Sequence, residues 1–267
     1  MQPNSLKQQH KAKGVALLVV MVLVLLAGLL LTGALRTAWL NELIGGVEAD
    51  YQRAFENAQA LLRDAEFDIQ GRDAGGGPSR NGPAFQRRCR RRGPAGLADG
   101  EVSFPQDGPA DFDALRSQLL AGTPSCVKGI CVADHVAAEF WQTPKDELGK
   151  MKTVAAHYGQ FSGAPSPAAS NPLLTSSGWY WVEVLPFDVD APVPAGSEDL
   201  RPEPGNPYIY RITAVAEGRK PGTRAVLQSL LVWRAEQAGS VRPAATEGTA
   251  PPQSARIARR AGWRQLQ

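Results

Sequence analysis

The sequence predicts an α+β fold in which a long N-terminal helix packs on a C-terminal antiparallel β-sheet. Two observations lead to this prediction. An uninterrupted apolar run over residues 15–35 continues into an apolar helical pattern that reaches Glu66. Three stretches of alternating apolar and polar residues, typical of strands, lie in the second half of the chain, at residues 179–184, 208–216 and 225–233.

The apolar run predicts a membrane span. It contains enough residues to cross a bilayer as a helix, which needs about 20. A secretory signal has a shorter apolar core, followed by a small-residue cleavage site, and no such site lies near Arg36. Lys7, Lys11 and Lys13 precede the run, and no acidic residue does. We therefore expect a single-pass membrane protein with a cytoplasmic N-terminus, whose C-terminal domain lies on the far side of the membrane, which in a bacterium is the periplasm.

An apolar seam continues the helix beyond the span. Its members alternate spacings of four and three, the heptad-like pattern of a helix that packs on another helix or a sheet. They are Leu40, Ile44, Val47, Tyr51, Ala54, Ala58, Leu61 and Ala65. We expect the globular domain to cover the last four, which leaves the first four bare. Because a protein rarely leaves such a stripe open unless another chain covers it, Leu40 to Tyr51 are the predicted interface.

Composition divides the chain further. Residues 36–69 form the periplasmic amphipathic extension, 70–110 an irregular loop region, 111–239 a globular domain, and 240–267 a flexible linker with a basic tail. A short helix is expected from Asp111, capped there or at Asp113 and stopped by Gly122. The segment GRKPGT makes the last two predicted strands antiparallel neighbours. The tail is rich in arginine around Trp263, and it is predicted to form either a short basic helix or a frayed end.

Charge and motifs exclude several function classes. Of the 29 lysines and arginines, three precede Gly14, and the rest balance the 26 acidic residues, which argues against a general nucleic-acid binder. Residues 87–92 are arginine-rich and could bind phosphate, DNA or an acidic partner, or form a solvated loop face. The three histidines lie in no catalytic motif, and no nucleotide or metal signature is present. We predict no enzyme activity, no cofactor and no metal site.

The cysteines predict one local disulfide. Cys126 and Cys131 lie five apart around Gly129, and in the periplasm this spacing indicates a bond that holds a small loop rigid. Half of a metal site is the alternative, but no second cysteine or histidine pair has ligand spacing. Cys89 is left over, and its state stays open.

Five stretches, in order along the chain, carry a resemblance to a known family. They are GVALLVVMVLVLLAGL from Gly14, AFENAQALLRDAE from Ala54, CVKGIC from Cys126, HYG from His157, and YRITAVAEG followed by VLQSLLVW. With its basic leader, uncharged helix and late antiparallel sheet, the chain resembles the type IV pilins, and more narrowly the PilX family of minor pilins. The resemblance implies a type IV pilin-like fold and a structural role in pilus assembly.

The resemblance also implies processing and partners. Prepilin peptidase would cut between Gly14 and Val15, remove residues 1–14 as a leader peptide, and leave Val15 as the N-methylated first residue. The mature protein would help to initiate the pilus in a tip complex with other minor pilins and the tip adhesin, supporting adhesion and twitching motility indirectly. It would lie in the inner membrane through residues 15–35 until it is assembled into the pilus tip. No specific nucleic-acid partner is expected.

One departure from the family pattern is informative. Most pilins have Phe where this chain has Val15, and Glu where it has Val19. In the family that Glu pairs with the free amine of the subunit ahead, and an unpaired carboxylate is costly in lipid. Its absence suits a subunit with nothing ahead of it. A K-like minor pseudopilin of type II secretion, or a membrane-anchored periplasmic enzyme or sensor with an intact N-terminus, remain alternatives.

Overall fold

The computed structural model describes residues 7–75, 90, 102–105, 108–142, 145–165, 177–188, 190, 192, 195, 201–235 and 256–266. The chain divides into two compact units, Met1–Ala49 and Asp50–Gln267. The expected fold class is confirmed, because a long N-terminal helix is combined with a six-stranded, mostly antiparallel sheet.

One helix, α1, spans Lys7–Gln70 and therefore includes both the apolar run and the seam. Gly45 and Gly46 lie inside it without ending it. The helix ends at Gly71, whose φ of 65° is left-handed. There the amide of Gly71 donates to the carbonyl of Asp68 at 3.1 Å and the amide of Arg72 donates to that of Phe67 at 2.8 Å. These two bonds form a Schellman C-cap, a conformation that glycine adopts without steric cost.

The strands follow one another across the sheet in chain order, β1 to β6. They are β1 Cys126–Val127, β2 Ile130–Val132, β3 Gly178–Pro186, β4 Tyr208–Glu217, β5 Arg224–Ala235 and β6 Arg256–Gln265. All neighbours are antiparallel except β2 and β3, which are parallel. The three strands expected from alternation are β3, β4 and β5, and the predicted hairpin between β4 and β5 is confirmed.

Two shorter helices flank the sheet. Helix α2 spans Pro109–Leu120 and α3 spans Lys145–Thr153. The expected aspartate cap of α2 is wrong: Gly108 is the cap residue and Pro109 lies in the first turn. Proline suits that position because the first helical amide has no partner within the helix.

The C-terminal segment corrects the sequence prediction. Residues 256–265 form the edge strand β6, and not a short basic helix or a frayed end. Strand β6 pairs along β5 from Arg256 with Ala235 to Gln265 with Leu227. The register shifts between Leu230 and Leu231. The sequence signal is weak because this strand carries few apolar residues, and a β-bulge of this kind also breaks the alternation. The expected linker before it lies outside the described residues.

The two faces of the sheet bury separate apolar clusters in the second unit. On one face, side chains of α1 such as Leu61 and Ala65 pack with Tyr180 and Ile212. On the opposite face, Trp181 packs with Phe140, Trp141 and Met151. Alternation along β3 therefore sends neighbouring residues to different clusters. Both faces of the central strands are buried, which explains why they are so apolar.

Candidate functional site

The predicted interface lies on the exposed part of α1. Leu40, Ile44 and Val47 expose 46%, 67% and 53% of their surface. The expectation that Tyr51 is bare as well is wrong, because its side chain is half-buried and packs against the core cluster. The later seam members, Ala54, Ala58, Leu61 and Ala65, are buried. The structure thus presents three bare apolar side chains on one helix face, which is the arrangement by which helices pack on one another.

The apolar run before this stripe is also exposed. Each large apolar side chain over residues 15–35 exposes at least 45% of its surface. By length and composition, this part of α1 is sufficient to cross a membrane, with a mean hydropathy of 3.1 in its most apolar window. The predicted cleavage point, Gly14–Val15, lies within α1, and Val15 is exposed. Val19 is exposed as well, so no carboxylate interrupts this surface.

The buried part of α1 carries polar side chains that hold other segments of the chain. Asp50 is the first of them, and its carboxylate accepts hydrogen bonds from the backbone amides of Arg219 and Lys220, both at 2.9 Å. The Lys220 amide is the main cause that lowers the pKa of Asp50 below its ordinary value. A Cβ at Gly218 would lie 2.4 Å from this carboxylate. Asp50 therefore binds the turn between β4 and β5 to α1.

Asp64 holds the loop that contains the HYG stretch. It accepts hydrogen bonds from the amide of Gly159, at 2.8 Å, and from the hydroxyl of Ser162. Burial raises the pKa of Asp64 to about 6, against the effect of these two donors. Gly159 has a φ of 74°, and a Cβ there would lie 2.4 Å from the carbonyl oxygen of Ala164. The loop is therefore tightly specified by one buried carboxylate.

A buried ion pair lies one turn further along α1. The Nε of Arg90 donates to Asp68 Oδ1 at 3.1 Å, and its Nη2 donates to Oδ2. Tyr180 donates its hydroxyl to the same carboxylate at 3.1 Å. Arg90 also donates to the carbonyl of Lys128 at 2.8 Å and lies over the ring of Phe161. The Asp68–Arg90 pair therefore connects α1 to β3, through Tyr180, and to the β1–β2 turn, through Lys128.

Arg90 corrects the interpretation of the arginine-rich run over residues 87–92. A solvated loop face was one alternative, yet Arg90 is fully buried. The other arginines of this run lie outside the described residues. Its partner Asp68 is likewise buried, on the side of α1 that faces the domain core. A signal was available in the sequence: Asp50, Asn57 and Asp64 are spaced by seven, so polar groups recur on the side of the helix that is buried.

The predicted disulfide partners are joined in the structure. Cys126 and Cys131 form a disulfide across the β1–β2 hairpin. Its turn lies against β3, because the amide of Val182 donates to the carbonyl of Gly129 at 2.6 Å. Gly129 has a φ of 84°, and a Cβ there would lie 2.6 Å from that of Ala156. The disulfide therefore closes a rigid loop, while Cys89 lies outside the described residues.

The geometry offers no catalytic arrangement in the described part of the chain. The aromatic ring of His157 is 6.5 Å from Trp179, and His135 ends a short 3₁₀ turn. Within the described ranges, no group of three or more His, Cys, Asp or Glu side chains is placed to hold a metal ion. The buried carboxylates bind amides, hydroxyls and Arg90. What the arrangement provides is a rigid domain and an exposed apolar helix.

Comparison with known proteins identifies one family. The family model of the C-terminal part of the type IV pilus assembly protein PilX matches residues 98–232. This segment includes the disulfide hairpin and strands β3 and β4, together with most of β5. No curated protein and no solved structure matches the chain.

Proposed function

Because this chain belongs to the PilX family of type IV pilus assembly proteins, we propose that it is a minor pilin that helps to initiate the pilus. Its family gives it a structural role related to the pilus. The proposal adds a place in a tip complex with other minor pilins and the tip adhesin, and an indirect contribution to adhesion and twitching motility. It gives the protein no catalytic step.

The exposed stripe of Leu40, Ile44 and Val47 is the observation that carries the proposal. Complete burial of an apolar side chain of this size stabilises by about 1.5–3 kcal/mol relative to leaving it exposed. Helices of neighbouring minor pilins would supply that burial in a filament. The stripe continues the apolar run, so one helix would serve first as a membrane anchor and then as a packing surface.

The beginning of the helix supports a starting position in the filament. Val19 replaces the acidic residue that pairs with the preceding subunit in most pilins. A subunit without that carboxylate has no unpaired charge to bury when no subunit lies ahead of it. The proposal includes cleavage between Gly14 and Val15, anchoring in the inner membrane through residues 15–35, and a periplasmic domain.

The experiment introduces charge into the stripe. The double variant Ile44→Asp/Val47→Asp should lower surface piliation and co-purification with the other minor pilins by at least about tenfold, because each aspartate would be desolvated between packed helices. The control variant Ala38→Asp/Ala49→Asp adds the same charge at exposed positions on the opposite face of the helix. It should assemble at the normal level.

Two readouts make the outcome decisive. Both variants should unfold like the wild-type protein, because their side chains are exposed. The mass of the wild-type protein purified from membranes should correspond to a chain that begins at N-methylated Val15. Normal piliation by the Ile44→Asp/Val47→Asp variant, or an intact leader in cells with active peptidase, would contradict the proposal.

A further inference from the structure

A hollow on the sheet face opposite α1 is not used by the proposed helix packing. Its volume is about 390 Å³, and its lining side chains come from the last three strands. Arg211 of β4 lies on one side and Arg264 of β6 on the other. Leu230 of β5 pairs with Gly262 between them. The hollow therefore has an apolar floor between two guanidinium groups.

Arg264 is held in place by neutral groups. Its Nε and Nη2 donate to Oε1 of Gln228, at 3.1 and 2.9 Å. Gln228 is buried, and its Nε2 donates to the hydroxyl of Thr213 at 3.2 Å. This relay crosses three strands and orients the guanidinium. Because an arginine has five N–H donors and Gln228 occupies two, three donors remain for another acceptor.

The two arginines differ in charge compensation. Arg211 binds the carboxylate of Glu183 through two hydrogen bonds of 2.6 Å. Glu183 raises the pKa of Arg211 and neutralises its charge. Arg264 makes no ion pair with any acidic side chain in the described part of the chain. The hollow thus carries one net positive charge that is already oriented.

The apolar floor indicates which kind of anionic group would fit beside Arg264. Leu230 exposes 39% of its surface, although its strand neighbours Leu231 and Ser229 are buried. A Cβ built at Gly262 would meet nothing within 4 Å, so the space above the floor is open. An anion bound to Arg264 would therefore stand beside an uncovered apolar surface. A carboxylate on a short aliphatic chain fits both features.

We propose that this hollow docks a segment of a partner protein that places an aspartate or glutamate on Arg264 and an apolar side chain on Leu230. Arginine at the centre of an interface, next to apolar surface, is the composition typical of binding hot spots. The guanidinium fork matches a carboxylate in two hydrogen bonds. A nucleic acid is a poorer fit, because its affinity depends on several phosphate contacts and the hollow has one uncompensated cation.

The test uses the full-length protein in its own cells, with the photo-crosslinker p-benzoylphenylalanine in place of Arg259. Arg259 is exposed on β6 and pairs with Val232, on the same face of β5 as Gln228. We expect an adduct whose partner peptide contains an aspartate or glutamate. Arg264→Glu should reduce the adduct at least about tenfold, because it places two carboxylates together. Replacing the partner's acidic residue with arginine, in combination with Arg264→Glu, should restore the adduct.

The matched control is Lys220→Glu, which makes the same charge reversal at an exposed position in the turn between β4 and β5. It should leave the adduct within about twofold of the wild-type level, since Lys220 does not line the hollow. The absence of any adduct, an adduct that persists in Arg264→Glu, or a partner peptide without an acid would overturn the proposal. So would crosslinking to nucleic acid alone.

A second crosslinker position separates this proposal from the proposed function. With p-benzoylphenylalanine at Ile44, adducts with other minor pilins report helix packing. Adducts at Ile44 but none at Arg259 would overturn the hollow as a docking site and leave the minor-pilin role standing. The reverse pattern would contradict helix packing and support the hollow.

Discussion

The two parts of α1 treat their side chains in opposite ways. Before Asp50 the helix exposes its apolar side chains, Ile44 and Val47 among them. From Asp50 onward it buries polar side chains, including Asp64 and Asp68. Each pattern inverts what a soluble protein usually does with such residues. One helix therefore has two parts of different character: the first leaves its apolar side chains uncovered, and the second organises the domain that follows it.

The contrast has a physical basis in what each part contacts. Lipid or a neighbouring helix satisfies an apolar surface without directional bonds. The buried carboxylates instead need specific donors, and the chain supplies them from the amides of Gly159, Arg219 and Lys220 and from the guanidinium of Arg90. The buried part is therefore sensitive to single substitutions that would be harmless to stability in the exposed part.

The largest expected loss of stability comes from breaking the buried ion pair. Arg90→Met should lower the free energy of unfolding by about 3–5 kcal/mol, because Asp68 would remain buried with Tyr180 as its remaining donor in the cluster. Urea unfolding of the full-length protein in detergent, followed by near-UV circular dichroism of Trp181 and its neighbours, measures this change.

Arg63→Met is the matched control for that variant. Arg63 is exposed and lies over the ring of Phe67 at 5.6 Å, so it shares the aromatic contact of Arg90 but lacks the ion pair. Its replacement should cost less than about 1 kcal/mol. The double variant Asp68→Leu/Arg90→Met should recover part of the loss, because no charge is left unpaired. If Arg90→Met and Arg63→Met lowered the free energy of unfolding equally, the buried ion pair would contribute no more than an exposed aromatic contact.

The raised pKa of Asp64 predicts that the stability of the fold depends on pH. Its pKa is about 6 in the folded protein and 3.8 ordinarily, so between these values the folded state holds a proton that the unfolded state has released. Stability should therefore fall as pH rises from about 4 to about 6, by roughly 3 kcal/mol from this group. Asp64→Asn should remove that part of the slope.

Urea midpoints at pH 4 and pH 7 measure this effect. Burial also raises the pKa of Asp68, so a slope of the same sign should persist in Asp64→Asn at reduced size. Asp113→Asn, which changes an exposed carboxylate on α2, is the control. If Asp64→Asn and wild type lose stability equally between the two pH values, Asp64 does not hold a proton in the fold.

The smallest expected effect concerns the first buried carboxylate of α1. Asp50→Ala should lower stability by about 1–2 kcal/mol, because the amides of Arg219 and Lys220 lose their acceptor. Since the pKa of Asp50 is lowered in the fold, its contribution should be present at neutral pH and disappear as pH falls below its ordinary value of 3.8. Glu42→Ala, in the exposed part of α1, should change stability by less than about 0.5 kcal/mol.

Periodicity in the sequence was sufficient for the elements that repeat a simple pattern. The long helix follows from an apolar run and a seam, and strands β3, β4 and β5 follow from alternation. The burial of the alanine-rich part of the seam also follows, but the half-buried position of Tyr51 does not. In each case neighbouring residues of the chain carry the information, because a helix or strand face repeats every few residues.

Strand β6 could not be recognised in this way. It carries arginines in place of an apolar row, and twenty residues of the chain lie between it and its partner β5. A strand of such composition forms because β5 offers unpaired backbone groups along its whole length. Pairing of that kind depends on the neighbouring strand in space, and it cannot be predicted from the residues of β6 alone.

The helix, the central strands, the family and the cysteine pair that the structure joins could all be predicted from the sequence. The burial of Arg90 against Asp68, and the orientation of Arg264 by Gln228 over an open hollow, became evident only from the folded chain. Both arginines look like surface residues in the sequence. Their roles depend on which acceptor comes within about 3 Å after folding, and that distance is set by segments far apart in the chain.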